Sequence, residues 1–439
     1  MNFIGSEIHE FILYLRTVGF GKLLRIFWFF FFFEFFRYIV VDLISLIFIK
    51  WDRSRNNYKY LDAKRRMWLE LPLVSIIVPG KNEGKHIFKL TSSLREQSYT
   101  NFELIIVDDG SDDDSETICR SLKKNGLIDY FVRNEVRGGK ASGANTALRI
   151  AKGKYVVHLD ADCSYDFDAI ENILVPFYLD TRVGAVGGNV MVRNYKDSIA
   201  TACQAFEYTD AISIGRMVSS YLGIYRVVSG AFGAFRMDLL QRVQGWDIGP
   251  GLDGDITVKF RKLGYKIKFE DRAVCQTSVP NNFRKLTKQR LRWDKSLIRF
   301  RLRKHSDVFF PSQNFNLSNF ISFVENITYT LILNVKWYIY AIDMLFNYAS
   351  LLPFILVMNI FLYSGANMFK LLAFNLFRER QHTTFSYFIL YVPLMVFYHG
   401  YYLRFVRTIA YIKEFFFKES YKDPWNPSKT SKQALEIGI

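Results

Sequence analysis

From residue 73 the chain alternates short apolar runs with amphipathic stretches, and this alternation restricts the fold more than any other feature. Apolar runs typical of strands occupy residues 74–79, 103–109, 130–134, 155–162 and 183–189. Helical periodicity is found between them, near residues 85–97, 114–125, 141–152 and 167–180. Strands that alternate with helices predict a doubly wound, mostly parallel sheet. Ligands of such sheets bind beyond the carboxyl ends of the strands.

Apolar blocks flank this central region. Residues 26–49, 320–346, 351–377 and 385–403 are long enough to be considered as membrane spans. Residues 26–49 carry Glu34, Arg37 and Asp42, which are either anchoring residues of a tilted helix or face protein instead of lipid. Glu34 and Arg37 lie one helical turn apart and could pair. Residues 320–346 also carry charges, and we expect them to lie in the membrane interface while the other blocks span it.

Charge distribution orients the chain and limits its partners. Residues 50–68 are rich in Lys and Arg, so the positive-inside rule places the central region in the cytoplasm. The chain has 58 Lys+Arg and 42 Asp+Glu, a net charge of +16, which suits anionic membrane lipid or phosphate-bearing ligands. Because the basic stretches flank apolar blocks, we predict no nucleic-acid binding. Four cysteines without CxxC spacing argue against a metal cluster or a disulfide framework.

These patterns divide the chain into four parts. Residues 1–72 are predicted to form an N-terminal membrane helix with a basic flank, and residues 73–305 the α/β domain. Residues 306–419 are predicted to be interfacial and transmembrane helices, and residues 420–439 a cytoplasmic tail.

Aspartates follow two of the predicted strands. Asp108 and Asp109 precede a glycine turn and could accept hydrogen bonds from a nucleoside, or could cap the next helix. Asp160 and Asp162 are two residues apart, so their side chains point the same way at a strand end. Such carboxylates could hold Mg²⁺ or Mn²⁺ against phosphate oxygens, or could belong to an aspartate-rich loop.

Three further segments carry candidate site residues. Asp253 or Asp255, ahead of a basic helix, could accept a proton from a sugar hydroxyl, or both could cap the helix. Lys140 follows a glycine-rich turn, a position suited to binding phosphate. Ser229 and Gly230 lie in an uncharged strip of small residues, which begins at Val227 and ends before Arg236 and which either lines an acceptor groove or is a core strand.

The segment "KQRLRW" places Gln289, Arg292 and Trp293 on one helix face. An indole can stack on a sugar ring, and Arg292 can bind a phosphate with two hydrogen bonds. The alternative is an interfacial helix that holds anionic headgroups. Both interpretations are compatible with each other.

Taken in order, the segments DDGS, DAD, DGD and QRLRW resemble processive inverting glycosyltransferases of family two. The resemblance is strongest to the poly-N-acetylglucosamine synthases, followed by chitooligosaccharide and hyaluronan synthases, and extends from about Leu73 to Lys304. It implies a GT-A domain, which is a Rossmann-like fold, with a UDP-sugar donor and Mg²⁺ or Mn²⁺. Two positions depart from the usual pattern: Lys81 replaces an aromatic residue, and the usual acidic triplet reads Leu252-Asp253-Gly254.

The resemblance also implies roles for single residues. Asp108 and Asp109 match the uridine-binding pair, Asp160 a nucleotide contact, Asp162 the metal ligand and Asp253 the general base. Gln289, Arg292 and Trp293 match the motif that holds the acceptor and the diphosphate, and Ser229-Gly230 resembles the acceptor-side strip.

The predicted function is that of an enzyme of the cell inner membrane. It would extend a β-linked polysaccharide from a UDP-sugar such as UDP-N-acetylglucosamine, with inversion and coupled translocation. Its acceptor would be a growing glycan or a lipid, and an accessory subunit would be compatible with this. The alternatives are a ceramide-type lipid glucosyltransferase that makes a single transfer, and an inactive scaffold or export channel.

Overall fold

The computed structural model describes residues 21, 26–249, 251–311, 316–377, 385–423 and 426–436. An eight-stranded sheet has the order β3-β2-β1-β4-β7-β6-β8-β5. Its strands are β1 (Val74–Gly80), β2 (Phe102–Asp108), β3 (Tyr130–Arg133), β4 (Tyr155–Leu159), β5 (Ser164–Tyr165), β6 (Val183–Val192), β7 (Phe232–Arg236) and β8 (Lys266–Thr277).

The helices of the α/β domain are α2 (Gly84–Arg95), α3 (Ser115–Lys124), α4 (Lys140–Ile150), α5 (Ala169–Leu179), α6 (Ile199–Glu207), α7 (Gly215–Tyr221), α8 (Met237–Arg242), α9 (Leu252–Lys262) and α10 (Phe283–Leu297). Helix α1 (Asp42–Glu70) precedes them and continues a π-helical segment, Phe30–Val41. After them come α11 (Leu317–Ile327), α12 (Leu333–Asn347), α13 (Leu352–Phe377), α14 (Phe385–Ile389), α15 (Val392–Phe397), α16 (Leu403–Phe417) and α17 (Ser428–Glu436).

The predicted α/β fold is confirmed, with one change of strand direction. Strands β3, β2, β1 and β4 run parallel to one another, as the strand–helix alternation predicts. Strand β7 runs antiparallel to both β4 and β6, and β5 runs antiparallel to β8. The sheet is therefore mostly parallel, with antiparallel strands in its second half.

Side-chain alternation along the central strands builds a core on each face of the sheet. Ile76 and Val78 belong to one apolar cluster, whereas Ile77 and Ile105 belong to the other. Parallel register pairs the last residue of β1, Gly80, with Asp108 at the end of β2. The carboxyl ends of β1, β2 and β4 therefore meet at one edge, where the aspartates lie.

The helical regions differ from the predicted set of membrane spans. Within the described ranges, one helical stretch, Ala349–Ala373, is long and apolar enough to cross a membrane. The predicted span at 385–403 is interrupted at residues 390–391, where α14 ends before α15. The predicted span at 26–49 is not apolar enough by the same measure, because three charged residues, Glu34, Arg37 and Asp42, fall within it.

Those three charged residues face other parts of the protein. Arg37 forms ion pairs of 2.8 Å with both Asp42 and Glu325, and Glu34 lies 3.4 Å from Arg404. The suggested Glu34–Arg37 pair is therefore wrong, since each residue has its partner elsewhere. The expectation that the charges face protein is correct for the described part of this segment.

The C-terminal segment packs against the α/β domain. A Cβ atom placed on Gly139 would lie 3.2 Å from Pro427 Cδ and 3.3 Å from Asn426 Oδ1. A Cβ on Gly249 would lie 3.1 Å from Ala434 Cβ. The segment predicted as a tail therefore covers the turn before α4 and the loop before α9.

Candidate active site

Asp108 and Asp109 are both buried at the end of β2, but their carboxylates have different surroundings. Asp108 Oδ1 accepts hydrogen bonds from the amide of Ser111, at 3.0 Å, and from its hydroxyl. Asp108 Oδ2 accepts no hydrogen bond from the described residues and lies 3.5 Å from Arg133 Nη1. Asp108 Oδ2 is therefore an acceptor without a hydrogen bond from the described residues, buried beside Arg133.

Asp109 holds the glycine-rich turn that leads into α4. Its carboxylate accepts hydrogen bonds from the amides of Gly138 and Gly139, at 2.8 and 2.7 Å, and from the Asn134 side chain at 3.1 Å. Of the predicted uridine-binding pair, Asp109 is therefore already engaged by the protein. Their roles toward a nucleotide remain predictions.

Lys140 brings the glycine turn and the end of β4 together. It is the first residue of α4, and its ammonium pairs with the carboxylate of Asp160. Burial disfavours the charged form, yet the carboxylates of Asp160 and Asp253 raise the pKa of Lys140. The positively charged Lys140 side chain is thus close to two predicted site residues, where it could face a diphosphate.

Asp162 is the carboxylate best placed for a divalent cation. Its Oδ1 atom accepts a long hydrogen bond, 3.6 Å, from the Cys163 thiol. Burial and the nearby Asp160 carboxylate raise the pKa of Asp162. Burial, with Asp162 and Asp160 nearby, also raises the pKa of Glu83 to about 7. Carboxylates that crowd in this way are suited to a hard cation, which prefers oxygen ligands.

The described residues contain no group of three His, Cys, Asp or Glu side chains arranged to hold a metal ion. Mg²⁺ commonly takes one or two carboxylates and completes its shell with water and substrate phosphates. Asp162 fits such a site, whereas Asp160 is paired with Lys140. The two aspartates are thus close enough to influence each other, but Asp160 has Lys140 as its ion-pair partner.

The two acidic residues at the start of α9 have opposite environments. Asp255 is 2% exposed and lies 2.6 Å from Lys304 and 2.8 Å from His305 Nε2. Despite burial, the bond from His305 and the charge of Lys304 hold the pKa of Asp255 well below its usual range. A carboxylate whose pKa is lowered binds a proton less readily, which makes Asp255 the weaker candidate for a general base.

Asp253 instead faces the strand ends. A Cβ placed on Gly230 would lie 2.5 Å from Asp253 Oδ1, so the two residues are in direct contact. Burial raises the pKa of Asp253, although Lys140 and the Gly230 amide oppose this shift. A carboxylate with a raised pKa binds a proton more readily, which suits a general base.

The contact with Gly230 gives a testable prediction. In Gly230→Ala the added methyl group would displace the Asp253 carboxylate, which is the end of a flexible side chain, so the fold should persist. Since a misplacement of about 1 Å can cost 10²-fold in rate, turnover should fall by about that factor. Initial rates and thermal unfolding of the purified variant would be compared with wild type.

Gly254, beside Asp253 in α9, provides the matched control. Its nearest atom to a new methyl group is Phe300 Cδ2 at 4.0 Å, and alanine favours helix over glycine by about 0.5–1 kcal/mol. Gly254→Ala should keep wild-type turnover with equal or higher stability. Equal losses in both variants would contradict the assigned contact.

Ser229 and Gly230 lie just before β7, which is a buried strand. The core-strand interpretation is therefore confirmed for Phe232–Arg236. Gly230 lies against Asp253, and the acceptor role of Ser229 and Gly230 stays a prediction.

Helix α10 carries Gln289, Arg292 and Trp293. Trp293 is 38% exposed, and the guanidinium of Arg290 lies 4.4 Å from its ring centroid. Gln289 Oε1 is buried and accepts no hydrogen bond from the described residues. The indole ring is thus accessible, as stacking on a sugar would require.

Arg290 and Tyr208 connect α10 to the strand-end site. Arg290 donates a 2.9 Å hydrogen bond to Glu207 at the end of α6. Tyr208, which follows Glu207, is buried, and burial raises its pKa to about 12. Tyr208 and Cys163, the neighbour of Asp162, belong to the same apolar cluster. The roles of Gln289, Arg292 and Trp293 remain predictions.

Three residues of the site are not identified by the sequence reasoning. Glu83 follows β1 and approaches Asp160 and Asp162, and the strand-end rule, applied to β1, would have found it. Arg193 donates hydrogen bonds to the Asp162 carbonyl, at 3.3 Å, and to Ser164 Oγ at 2.9 Å. No sequence signal marks Arg193. His158 is not marked either, because its contact with Gly230 depends on the pairing of β4 with β7.

Comparison with known proteins gives a family match within the α/β domain. Residues 75–243 match the family model Glycosyl transferase family 2. A poly-β-1,6-N-acetyl-D-glucosamine synthase of Staphylococcus epidermidis is 34% identical over 259 residues, which is 58% of this chain and 61% of that protein. The synthase of the same name from Staphylococcus aureus strain COL is 33% identical over 226 residues, 51% of this chain and 54% of that protein.

A solved structure supports the fold. A mannosyltransferase from Pyrobaculum calidifontis, determined in complex with GDP-Man and Mn²⁺, superposes with a TM-score of 0.55 and 20% identity, covering 85% of this chain and 98% of that one. At this identity the likeness concerns the fold alone. The chain thus carries, over residues 75–243, a glycosyltransferase family 2 domain of GT-A fold, and in sequence it resembles the poly-β-1,6-N-acetyl-D-glucosamine synthases.

Proposed function

We propose that this chain is a membrane-bound glycosyltransferase that extends a β-linked polysaccharide from a UDP-sugar, with UDP-N-acetylglucosamine as the first donor to test. The observation that carries the proposal is the placement of Asp253, a carboxylate of raised pKa, against Gly230 and near Lys140 and Asp160. The names of the similar synthases support the choice of sugar and of a polymeric product.

The proposed reaction is a single displacement. Asp253 accepts the proton of the acceptor hydroxyl, whose oxygen attacks the anomeric carbon as the bond to UDP breaks. Lys140 faces the diphosphate, and Trp293 supports the acceptor ring. A Mg²⁺ or Mn²⁺ ion held by Asp162 would neutralise charge on the leaving diphosphate. An α-linked donor would give a β-linkage, since one displacement inverts configuration.

A cavity of about 280 Å³ between the helices supports a polymer as the product. It lies among the N-terminal helical segment and the helices after α10, and Glu207 at one end also binds Arg290 of α10. Most of its lining is aromatic or polar. The lining includes Tyr38, Tyr329, Trp337, Tyr340, Tyr363, Tyr401, Glu34, Glu207, Asp210, Lys370, Arg404 and Arg407.

This lining discriminates between the two kinds of acceptor. Aromatic faces with polar groups nearby suit sugar rings, which have apolar faces and hydroxyl edges. An acyl chain would exclude water from this polar lining and offer it no hydrogen bonds in return, which is costly. The cavity therefore favours a glycan over a lipid acceptor, and passage of the glycan through it belongs to the proposal.

Narrowing the cavity should shorten the product. Ala366, on α13, lines the cavity, so Ala366→Trp would fill part of the path. We expect short oligosaccharides in place of polymer, with early UDP release close to the wild-type rate. Product sizing by gel electrophoresis, together with a UDP-release assay, measures both effects.

Val357→Trp, on the same helix at a 50% exposed position, is the control and should leave product length unchanged. A lipid glucosyltransferase would instead show a change in rate with a product of constant size.

The donor is identified by incubating membranes that contain the protein with each radiolabelled UDP-sugar in turn. Polymer formation with release of UDP supports the proposal, and a single labelled glycolipid supports the lipid glucosyltransferase. Absence of UDP release with every UDP-sugar would overturn the proposal and leave the scaffold or export channel.

A further inference from the structure

His158 lies in β4, two residues before Asp160, and its side chain is 1% exposed. Its Nδ1 atom is 2.6 Å from the carbonyl oxygen of Gly230. A carbonyl accepts but cannot donate, so Nδ1 carries the proton of this bond. Burial, assisted by Lys140, lowers the pKa of His158 to about 4. The ring is therefore neutral at physiological pH, with its single N–H directed at Gly230.

Gly230 contacts His158 on one side and Asp253 on the other. Its carbonyl accepts from His158, while its amide stabilises the charged form of Asp253. Glycine permits a wide range of φ and ψ, so backbone sterics alone do not set the direction of this amide. A bond that anchors the carbonyl restrains it.

The ring of His158 is itself held in place. Trp246 packs against it, with ring centroids 5.7 Å apart. Asn145 fixes Trp246 by donating to its carbonyl at 2.7 Å and accepting from its amide at 2.9 Å. These contacts restrain the imidazole of His158, so its hydrogen bond holds the Gly230 carbonyl in place.

His158 Nε2 is buried and has no hydrogen-bond partner among the described residues. A buried acceptor without a donor costs stability. A leucine of similar size would avoid that cost but would leave the Gly230 carbonyl without its donor. The bond from His158 to Gly230 is the feature that an apolar side chain could not supply.

We propose that His158 is a positioning residue for the transfer reaction, which anchors Gly230 so that the amide of Gly230 faces the Asp253 carboxylate. This inference rests on the proposed function. It assigns His158 no contact with substrate and no proton transfer. The charged groups that affect the pKa of Asp253 are Lys140, Asp160 and Arg216, and none of them is replaced in the His158 variants.

The test compares three variants of the full-length protein in membranes. His158→Leu removes the donor, and turnover should fall by about 10- to 100-fold, the cost of a misplaced catalytic group, with the KM for the UDP-sugar unchanged. His158→Asn places an amide N–H close to the position of Nδ1 and should restore most of the rate. His158→Gln carries its amide further out and should stay impaired.

The pH profile of turnover provides a second readout. The Gly230 amide lowers the pKa of Asp253, so its loss should raise that pKa. A base must be deprotonated to act, so the acid limb of the His158→Leu profile should move to higher pH. His158→Asn should return it toward the wild-type position.

Wild-type turnover and pH profile in His158→Leu would overturn the proposal. So would equal losses in the leucine and asparagine variants when both retain wild-type UDP affinity and thermal stability. Failure of the wild-type protein to transfer any sugar would instead refute the proposed function, and the positioning role would fall with it.

Discussion

Replacing Asp253 with asparagine is expected to lower turnover by about 10²–10⁴-fold, the usual contribution of a general base. Asparagine has nearly the same shape but cannot accept the proton of the acceptor hydroxyl. UDP binding should remain largely intact, because Asp108 and Lys140 are unchanged. Turnover is measured as UDP release and polymer formation, and UDP affinity by titration calorimetry. Unchanged turnover in this variant would refute the assignment of the base.

The pH dependence of the wild-type rate follows from the same residue. Burial raises the pKa of Asp253 above its ordinary value of 3.8. As pH falls through that raised pKa the carboxylate becomes protonated, and the rate should fall with it. The residual rate of Asp253→Asn should lack this acid limb.

Asp255→Asn is the matched control, since it changes the same chemical group in the same turn of α9. Asp255 is bound to Lys304 and His305, and breaking a buried ion pair costs about 3–5 kcal/mol. We expect a lower unfolding temperature with near wild-type turnover per folded molecule. The opposite pattern, a stable but inactive Asp255→Asn protein, would transfer the role of base to Asp255.

Removal of divalent cations is the second change with a large expected effect. Addition of EDTA should lower transfer by at least about 10²-fold, because a bound cation stabilises transition-state charge by several kcal/mol. Mg²⁺ or Mn²⁺ should restore the rate. Asp162→Asn should show a comparable loss even with the metal present, because it removes the carboxylate available to the ion.

Asp160→Asn is the comparison for the metal assignment. Asp160 is paired with Lys140, so its replacement should weaken donor binding while the remaining activity still responds to EDTA. Full wild-type activity in the presence of chelator would remove the metal from the proposal. If the activity of Asp160→Asn no longer responded to EDTA while that of Asp162→Asn still did, Asp160 would be assigned as the metal ligand and Asp162 as the nucleotide contact.

The sequence was sufficient to predict the α/β domain and the edge of the sheet at which the site lies. Apolar runs and helical periodicity depend on residues close in the chain, and β1 to β4 follow that pattern closely. It did not reveal the antiparallel direction of β7, because a strand of either direction has the same side-chain alternation.

The continuity and contacts of the helices outside the α/β domain were predicted less well, for a related reason. Apolar content marked four blocks, but continuity of a helix and the partners of its charged residues are not local properties. Arg37 is bound by Glu325, 288 residues further along the chain. The helix at 385–403 is broken at a turn that composition alone does not mark.

The amino-acid sequence specified which chemical groups this protein could bring to a strand-end site: paired aspartates, a lysine after a glycine turn, and an acidic pair ahead of a helix. The folded chain gave each of these groups its environment. Asp255 lies against Lys304 and accepts a hydrogen bond from His305, while Asp253 rests against Gly230. The pKa, hydrogen bonding and burial of a side chain depend on its neighbours in space, and most of these neighbours are distant in the chain.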